Sequence, residues 1–498
     1  MVRWHPVRRV RFIRRCVAIL AVSSCATLVG FQMKLTTSGG RRLPPWRQQL
    51  PGATEATGNR QDRGGGNRDG RESRTGRARR IIERQIFRDS EEADHRHDDT
   101  PSSQSSHKLP WFFTNGTEWP RPTSKLSRLG NVWPDPKYPQ DDRIVAQLMY
   151  LPPGYKRQLK STNTTTLKNI ILHGSWHDFL SGRELFLRDR CPVDTCTVYW
   201  SYGEHLGGRT SEGGGVVDAV IYQDWYVSKD NGSSDGHQVK ILYLLENPMN
   251  TYVSPADAGI DWTATYRRDS DIVTPYEKFV LFDPLVKRIK RNYDYAQNKT
   301  KMVAWFVSNC GAANRRLEYA RELQKHIQVD IYGACGTLKC PRSESERCYE
   351  MLDSDYYFYL SFENANCKDY ITEKFYNALR HNVVPVVMGA SREEYRAAAP
   401  YHSYIHVDDF ASPKELAEYL RLLSSNHSLY NQYFEWKGTG EFVNTYFWCR
   451  LCAMLHAPPR PEDKQRRTSV HDWWHRGACK SIDDVTAERR VQNGTEPL

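Results

Sequence analysis

Long apolar runs are scarce in this 498-residue chain: only one uncharged stretch, residues 16–33, is long enough to matter for a membrane. A multi-span transporter or channel is thereby excluded. Net charge is missing where a nucleic-acid binder would need it. Six arginines in residues 1–15 and a surplus of five cations across residues 34–110 account for the whole formal charge of +11, leaving residues 111–498 with none. Nucleic acid is not an expected partner of that part. Aromatic residues are nearly absent from residues 34–110, which are rich in Arg, Gly, Ser and Asp and include Gly64-Gly65-Gly66. Such a segment cannot bury enough apolar surface to fold and reads as a disordered stem, its arginine run at 71–80 a solvated tether rather than a polyanion site. A second Cys-x-x-Cys is lacking beside Cys449-Arg-Leu-Cys452. Structural disulfides are therefore expected over a zinc or thiol site.

What is present begins with an address. Arg8, Arg9, Arg11, Arg14 and Arg15 lead into the apolar run, which as a helix spans about 27 Å against a hydrocarbon core of about 30 Å. This predicts a cytoplasmic tail at 1–15, an uncleaved transmembrane signal anchor at 16–33, the stem at 34–110 and a lumenal remainder. A cleaved signal peptide is the competing reading, since Ser23-Ser24-Cys25-Ala26 offers small residues, but the run continues apolar through Leu28, Val29 and Phe31. Six Asn-X-Ser/Thr sequons, at Asn115, Asn163, Asn231, Asn298, Asn426 and Asn493, all lie beyond the anchor, as do ten of the 12 cysteines. Both fit the secretory pathway; several disulfides are expected, with their pairing left open.

Twenty-eight Tyr and 14 Trp can supply a large core, and the length suits two domains. A Trp- and Pro-rich stretch at 111–140 reads as a wrap onto the first of them. Short apolar runs at 169–172, 216–222 and 239–245 read as buried strands. The second half alternates clearly: strands at 302–307, 329–332, 356–362, 383–388 and 404–407, and helices at 314–326, 369–380 and 412–423, the last opened by a capping box from Ser412, Pro413 and Glu415. The pattern predicts parallel α/β sheets and, with two such domains in series, a ligand cleft between them.

The densest polar cluster follows the strand at 356–362: Glu363-Asn364, a short loop, then Asp369-Tyr-Ile-Thr-Glu-Lys374. In a parallel sheet, ligands collect at the carboxyl ends of strands, where helix N-termini offer free N–H groups. Read as one helix, 369–380 places Lys374 a turn beyond Tyr370, with Glu373 beside it and Ile371, Phe375 and Leu379 facing the core. The cation suits a diphosphate and the acid suits sugar hydroxyls; a plain surface pattern would look similar. Trp305-Phe-Val-Ser-Asn-Cys-Gly-Ala-Ala-Asn-Arg-Arg316 repeats the strand–turn–cation arrangement and favours an anionic ligand.

These residues are recognisable. Phe358-Tyr-Leu-Ser-Phe-Glu-Asn364 followed by Asp369-Tyr-Ile-Thr-Glu-Lys374 closely resembles the α1,3-fucosyltransferase signature. Asp261-Trp-Thr-Ala-Thr-Tyr-Arg-Arg-Asp-Ser-Asp-Ile272 with Pro275-Tyr276, Val384-Pro-Val-Val-Met-Gly389 and Tyr404-Ile-His-Val-Asp408 resemble further blocks of that family, in its order. The resemblance covers roughly residues 140–455. It implies the GT-B fold, two Rossmann-like domains facing across a cleft. An acceptor-side domain would lie at 111–290, a donor-binding domain at 291–455 and an extension at 456–498. It also implies a GDP-fucose donor, inversion at the fucose anomeric carbon and a Golgi membrane protein of type II orientation.

Carried over position by position, Arg316 and Lys374 would bind the diphosphate, with Arg315 exchanging for Arg316 if the alignment slips by one. Glu373 would contact donor hydroxyls. Ser308, Asn309, Tyr359, Asn364 and Tyr370 would line the pocket, and Tyr276 would reach in from the linking segment. Inversion needs a base on the acceptor hydroxyl. Leu244-Leu-Glu-Asn-Pro-Met249 aligns with the family's base-bearing strand end, which makes Glu246 the candidate; a glutamate merely capping the Asn247-Pro248 turn is the bland alternative. Asp269-Ser-Asp271 and Asp353-Ser-Asp355 resemble the metal-holding triplet of GT-A enzymes, but Arg316 and Lys374 can supply the countercharge. No cofactor is expected to be required, with Mn²⁺ at most a stimulant.

The segments Ser308-Asn-Cys-Gly-Ala-Ala-Asn-Arg-Arg316 and Tyr332-Gly-Ala-Cys-Gly-Thr-Leu-Lys-Cys-Pro341 are more similar to the core enzymes of plants and invertebrates, extra cysteines included. The expected acceptor is the Asn-linked core N-acetylglucosamine of glycoprotein N-glycans. A Lewis-type enzyme acting on peripheral N-acetyllactosamine and a non-catalytic glycan-binding membrane protein are the alternatives.

Overall fold

The computed structural model of the protein describes residues 108–121, 143–155, 167–173, 181–201, 216–223, 238–254, 259–282, 293–457, 469–481 and 484. The expected tail, the anchor and the stem up to residue 107 lie outside the described residues, as do Asn163, Asn231 and Asn493. Among the described residues no helix is long and apolar enough to cross a membrane.

Two five-stranded parallel sheets form the frame. The first contains β1 (Lys168–His173), β2 (Cys196–Ser201), β3 (Ala219–Gln223), β4 (Val239–Leu244) and β5 (Trp262–Thr265), in the order β2-β1-β3-β4-β5. After β6 (Lys278–Leu281) the second follows: β7 (Lys301–Phe306), β8 (Val329–Tyr332), β9 (Tyr356–Phe362), then, past the short β10 (Asn366–Cys367), β11 (Val384–Met388) and β12 (Ile405–His406). Its order is β12-β11-β9-β7-β8, every pair parallel. Counted along the chain within each sheet, both orders are 2-1-3-4-5, the doubly wound arrangement whose strand order reverses between the first and third strands. All seven residues of β9 and all five of β11 are buried, as central strands covered on both faces require.

Among the described residues three devices join the two sheets. β13 (Gly440–Val443) pairs antiparallel with β6. The helix Phe447–Leu455, from the end of the stretch read as the second domain, packs in the core of the first sheet. Disulfides Cys191–Cys449 and Cys196–Cys452 fix it there. The buried Arg450 is satisfied by Gln147 Oε1 at 3.0 Å and Val273 O at 2.9 Å. Finally β14 (Cys479–Lys480) pairs with β10, and Cys479 is bonded to Cys367. With Cys310–Cys335 and Cys340–Cys348, all ten cysteines beyond the apolar run are paired. Asn115, Asn298 and Asn426 are exposed.

Candidate active site

Glu246 lies two residues beyond β4, on a turn built by its neighbour. The buried Asn247 accepts from Met249 N through Oδ1 at 3.0 Å. Glu246 Oε1 is held by donors from four residues: Asn247 through its backbone N–H at 3.0 Å and also its amide, Tyr370 Oη at 2.8 Å, Asn250 Nδ2 at 3.3 Å and Asn364 Nδ2 at 3.5 Å. Oε2 has no hydrogen-bond partner among the described residues. One oxygen is thus fixed and the other open, the geometry of a positioned base. Tyr276 donates to Leu245 O at 3.0 Å and fastens the chain just before the carboxylate. Burial, with Tyr276 and Glu246 nearby, pushes the Tyr370 hydroxyl well above the ordinary tyrosine value, so it stays a donor.

The facing wall comes from the ends of β7 and β9. Arg316 is buried. Its Nη1 donates to Phe362 O at 2.7 Å and Nη2 to Asn309 O at 3.2 Å, pinning the two strand ends together, while Nε is buried without a partner. Lys374 Nζ stands 3.2 Å from Glu363 Oε2, 3.2 Å from Glu373 Oε1 and 2.8 Å from Thr372 Oγ1. Burial disfavours its charge, but the two carboxylates outweigh this and raise Lys374 above the ordinary lysine value; the field of Arg316 opposes them. The two cations therefore share one electrostatic neighbourhood. Burial raises Glu373, but Lys374 and the Thr372 hydroxyl hold it below the usual carboxylate range.

Tyr370 does not stand on the helix read from sequence: the helix begins at Glu373. Asp369 adopts a left-handed backbone (φ 57°) and pairs with Arg268 at 3.0 Å. The wholly buried Glu363 takes Thr372 N at 2.7 Å and Thr372 Oγ1 at 2.9 Å. These bonds keep 369–372 out of the helix and swing Tyr370 toward Glu246. Likewise the helix expected from 314 starts at Arg316, because Asn314 Nδ2 is bound to Glu363 O at 2.9 Å and Arg315 is left-handed. Glu363 had no role assigned from sequence, although a glutamate directly after a seven-residue buried strand is a signal that it must have partners. Gly389, at φ 145°, passes so close that a Cβ would sit 2.7 Å from Glu363 Cβ.

The other predicted residues divide. Ser308 and Asn309 are exposed on the loop after β7, tethered by Cys310–Cys335. Asn364 spans the gap, accepting from Asn247 Nδ2 at 3.0 Å. Tyr359 is a core residue here, packed on Phe306 with ring centroids 5.2 Å apart. Arg315 is exposed and lines a separate cleft of about 590 Å³ with Glu318, Lys368 and Glu394, a cleft that neither Glu246 nor Lys374 lines. Both Asp-x-Asp triplets are committed elsewhere: Asp269 to Arg267 at 2.6 Å and Lys368 at 3.1 Å, Asp271 to Thr263, Asp353 to His381, and Asp355 to Lys301. Among the described residues the one cluster close enough to chelate is Cys196, Cys452 and His456, and its cysteines are joined as a disulfide.

Sequence reading also missed a clamp over the site. Trp474, fully buried, donates to Thr251 Oγ1 at 2.8 Å, and His475 Nε2 accepts from Val253 N at 3.3 Å. Both lie a few residues before the cysteine that is tied to β10.

A carboxylate with one oxygen fixed, bonded through Asn364 and Tyr370 to the loop beside which Arg316 and Lys374 stand, suits an enzyme that transfers a group from an anionic donor to a nucleophile losing a proton. The sequence matches Glycosyltransferase family 10 (fucosyltransferase) C-term over residues 296–473 and Fucosyltransferase, N-terminal, over residues 176–277. It is 49% identical over 381 residues to glycoprotein 3-alpha-L-fucosyltransferase A of Drosophila melanogaster, covering 74% of this chain and 73% of that one. It is 43% identical over 237 residues to bovine 4-galactosyl-N-acetylglucosaminide 3-alpha-L-fucosyltransferase 9, covering 46% and 62%. A crystal structure of an alpha1,3-fucosyltransferase with GDP aligns at TM-score 0.39 and 17% identity, covering 63% and 94%. The chain belongs to glycosyltransferase family 10, the fucosyltransferases.

Proposed function

We propose that the protein moves fucose from GDP-fucose, with inversion, in α1,3 linkage onto the Asn-linked core N-acetylglucosamine of glycoprotein N-glycans, as a GT-B enzyme anchored in the Golgi membrane in type II orientation. The observation that carries the chemistry is the asymmetry of Glu246: four residues hold Oε1, and among the described residues none bonds Oε2. In the step proposed, the acceptor hydroxyl oxygen attacks the fucose anomeric carbon, its proton passes to Glu246 Oε2, and the bond from that carbon to the β-phosphate oxygen breaks. Lys374 offsets the charge gathering on departing GDP, and Arg316 adds its field while locking the strand ends. Glu373 is placed for donor hydroxyls, with Ser308, Asn309 and Asn364 at the rim. Tyr370 and Tyr276 orient the base rather than touch the donor. No metal ligand is proposed, because each Asp-x-Asp carboxylate already has a partner.

The core acceptor is supported by the 49% identity to a protein named as a glycoprotein fucosyltransferase. The 43% identity to an enzyme named for 4-galactosyl-N-acetylglucosaminide supports the Lewis-type alternative. Incubating the protein with GDP-fucose, an N-glycopeptide ending in N-acetylglucosamine, and N-acetyllactosamine separates them by mass spectrometry. A deoxyhexose linked 3 on the core residue is expected. Transfer only to N-acetyllactosamine would establish the alternative, and transfer to neither would remove the proposal.

A further inference from the structure

The loop that carries Glu246 shows large apolar groups to solvent: Met249 is 55% and Tyr252 is 56% exposed. Single exposed apolar residues are ordinary, but these two stand three and six positions from the open carboxylate, on a loop that is tied down. Asn247 O accepts from Asn250 N and from Thr251 Oγ1, each at 3.0 Å. Trp474 holds Thr251, and His475 holds Val253. The loop therefore keeps its shape while displaying side chains that gain nothing from exposure. Asn250 is exposed as well, with Nδ2 at 3.3 Å from Glu246 Oε1.

Two exposed apolar side chains and an exposed amide on the loop of an open base match one kind of ligand. A pyranose ring has an apolar face of C–H groups and a rim of hydroxyls. An aromatic or thioether surface covers the face, and an amide bonds the rim. Any acceptor must bring its hydroxyl to Oε2, so the surface beside that oxygen is where its ring lies. We propose that Met249, Asn250 and Tyr252 form the acceptor-sugar subsite, with the ring seated on Tyr252 and Met249 and its reacting hydroxyl turned to Glu246. The chain's own C-terminal segment, through Trp474 and His475, holds that platform rigid. This rests on the reading of Glu246 as the base.

The test uses the whole protein in steady-state kinetics with the N-glycopeptide acceptor, alongside calorimetric titration with GDP. Tyr252→Ala is expected to raise the acceptor KM about ten-fold and Met249→Ala about three-fold, with GDP affinity within two-fold of wild type. Tyr252→Phe, which keeps the ring, restores the acceptor KM. An acceptor KM within two-fold of wild type in both alanine variants overturns the subsite, as does a loss of GDP affinity equal to the rise in KM. Wild-type protein that transfers no fucose removes the parent reading and the subsite with it, whereas transfer with unmoved KM values removes the subsite alone.

Discussion

The two sheets have the same strand order and put it to opposite uses. At the end of β4 the first sheet carries a carboxylate whose neighbours are amides and a phenol; at the ends of β7 and β9 the second carries a buried arginine and a lysine wedged between two acids. Topology fixes where loops converge, and the side chains on those loops decide the chemistry. The difference also shows in how each loop is stiffened. The base loop is held by side-chain amides and by Trp474 and His475, groups without permanent charge near the carboxylate. The cation loops are held by carbonyls and carboxylates, which tolerate Arg316 and Lys374.

The largest expected effect tests whether the first sheet supplies the base. Glu246→Gln keeps the shape and removes the proton acceptor, and turnover should fall about 10²–10⁴-fold; undiminished turnover would place the base elsewhere. Tyr370, from the second sheet, orients that base across the gap. Losing its hydroxyl in Tyr370→Phe should lower kcat about ten-fold, with the donor KM little changed; a rise in donor KM without loss of kcat would make it a donor contact instead. The seam between the sheets gives a smaller, structural effect. Burial works against the Asp269 carboxylate, yet Arg267 and Lys368 hold its pKa at about 2. Its contribution to stability is present above the unfolded value near 4 and is lost as pH falls toward 2. Asp269→Asn should therefore cost about 2 kcal/mol at pH 7 by chemical denaturation, and the gap from wild type should close at low pH. The smallest effect separates adjacent arginines: Arg315→Ala should leave the donor KM within two-fold, since Arg315 faces the other cleft.

The two sheets were unequally legible in the sequence. β8 and β9 match the expected 329–332 and 356–362 to the residue: β9 is a wholly buried run of Tyr, Phe and Leu interrupted only by Ser361, and β8 is a β-branched and aromatic run broken only by Asp330. In the first sheet, β2 and β5 were not read as strands: Cys196 and Trp262 begin short segments buried by partners far along the chain, such as Cys452. The expected strand at 216–222 begins three residues later, at Ala219, leaving Val216 exposed. Ile371, Phe375 and Leu379 pack in one cluster, although Ile371 precedes the helix that carries the other two. The break before Glu373 was invisible, since it depends on Glu363 binding Thr372 across a loop. The clamp by residues 470–480 was invisible too, because no local pattern records that Cys479 meets Cys367.

The division of labour between the sheets is tested most directly by titrating GDP into Glu246→Gln and Lys374→Ala protein by calorimetry. GDP should bind the first variant as it binds wild type and the second at least about ten-fold more weakly. Equal affinity in the lysine variant, or a comparable loss in the glutamine variant, would contradict the account.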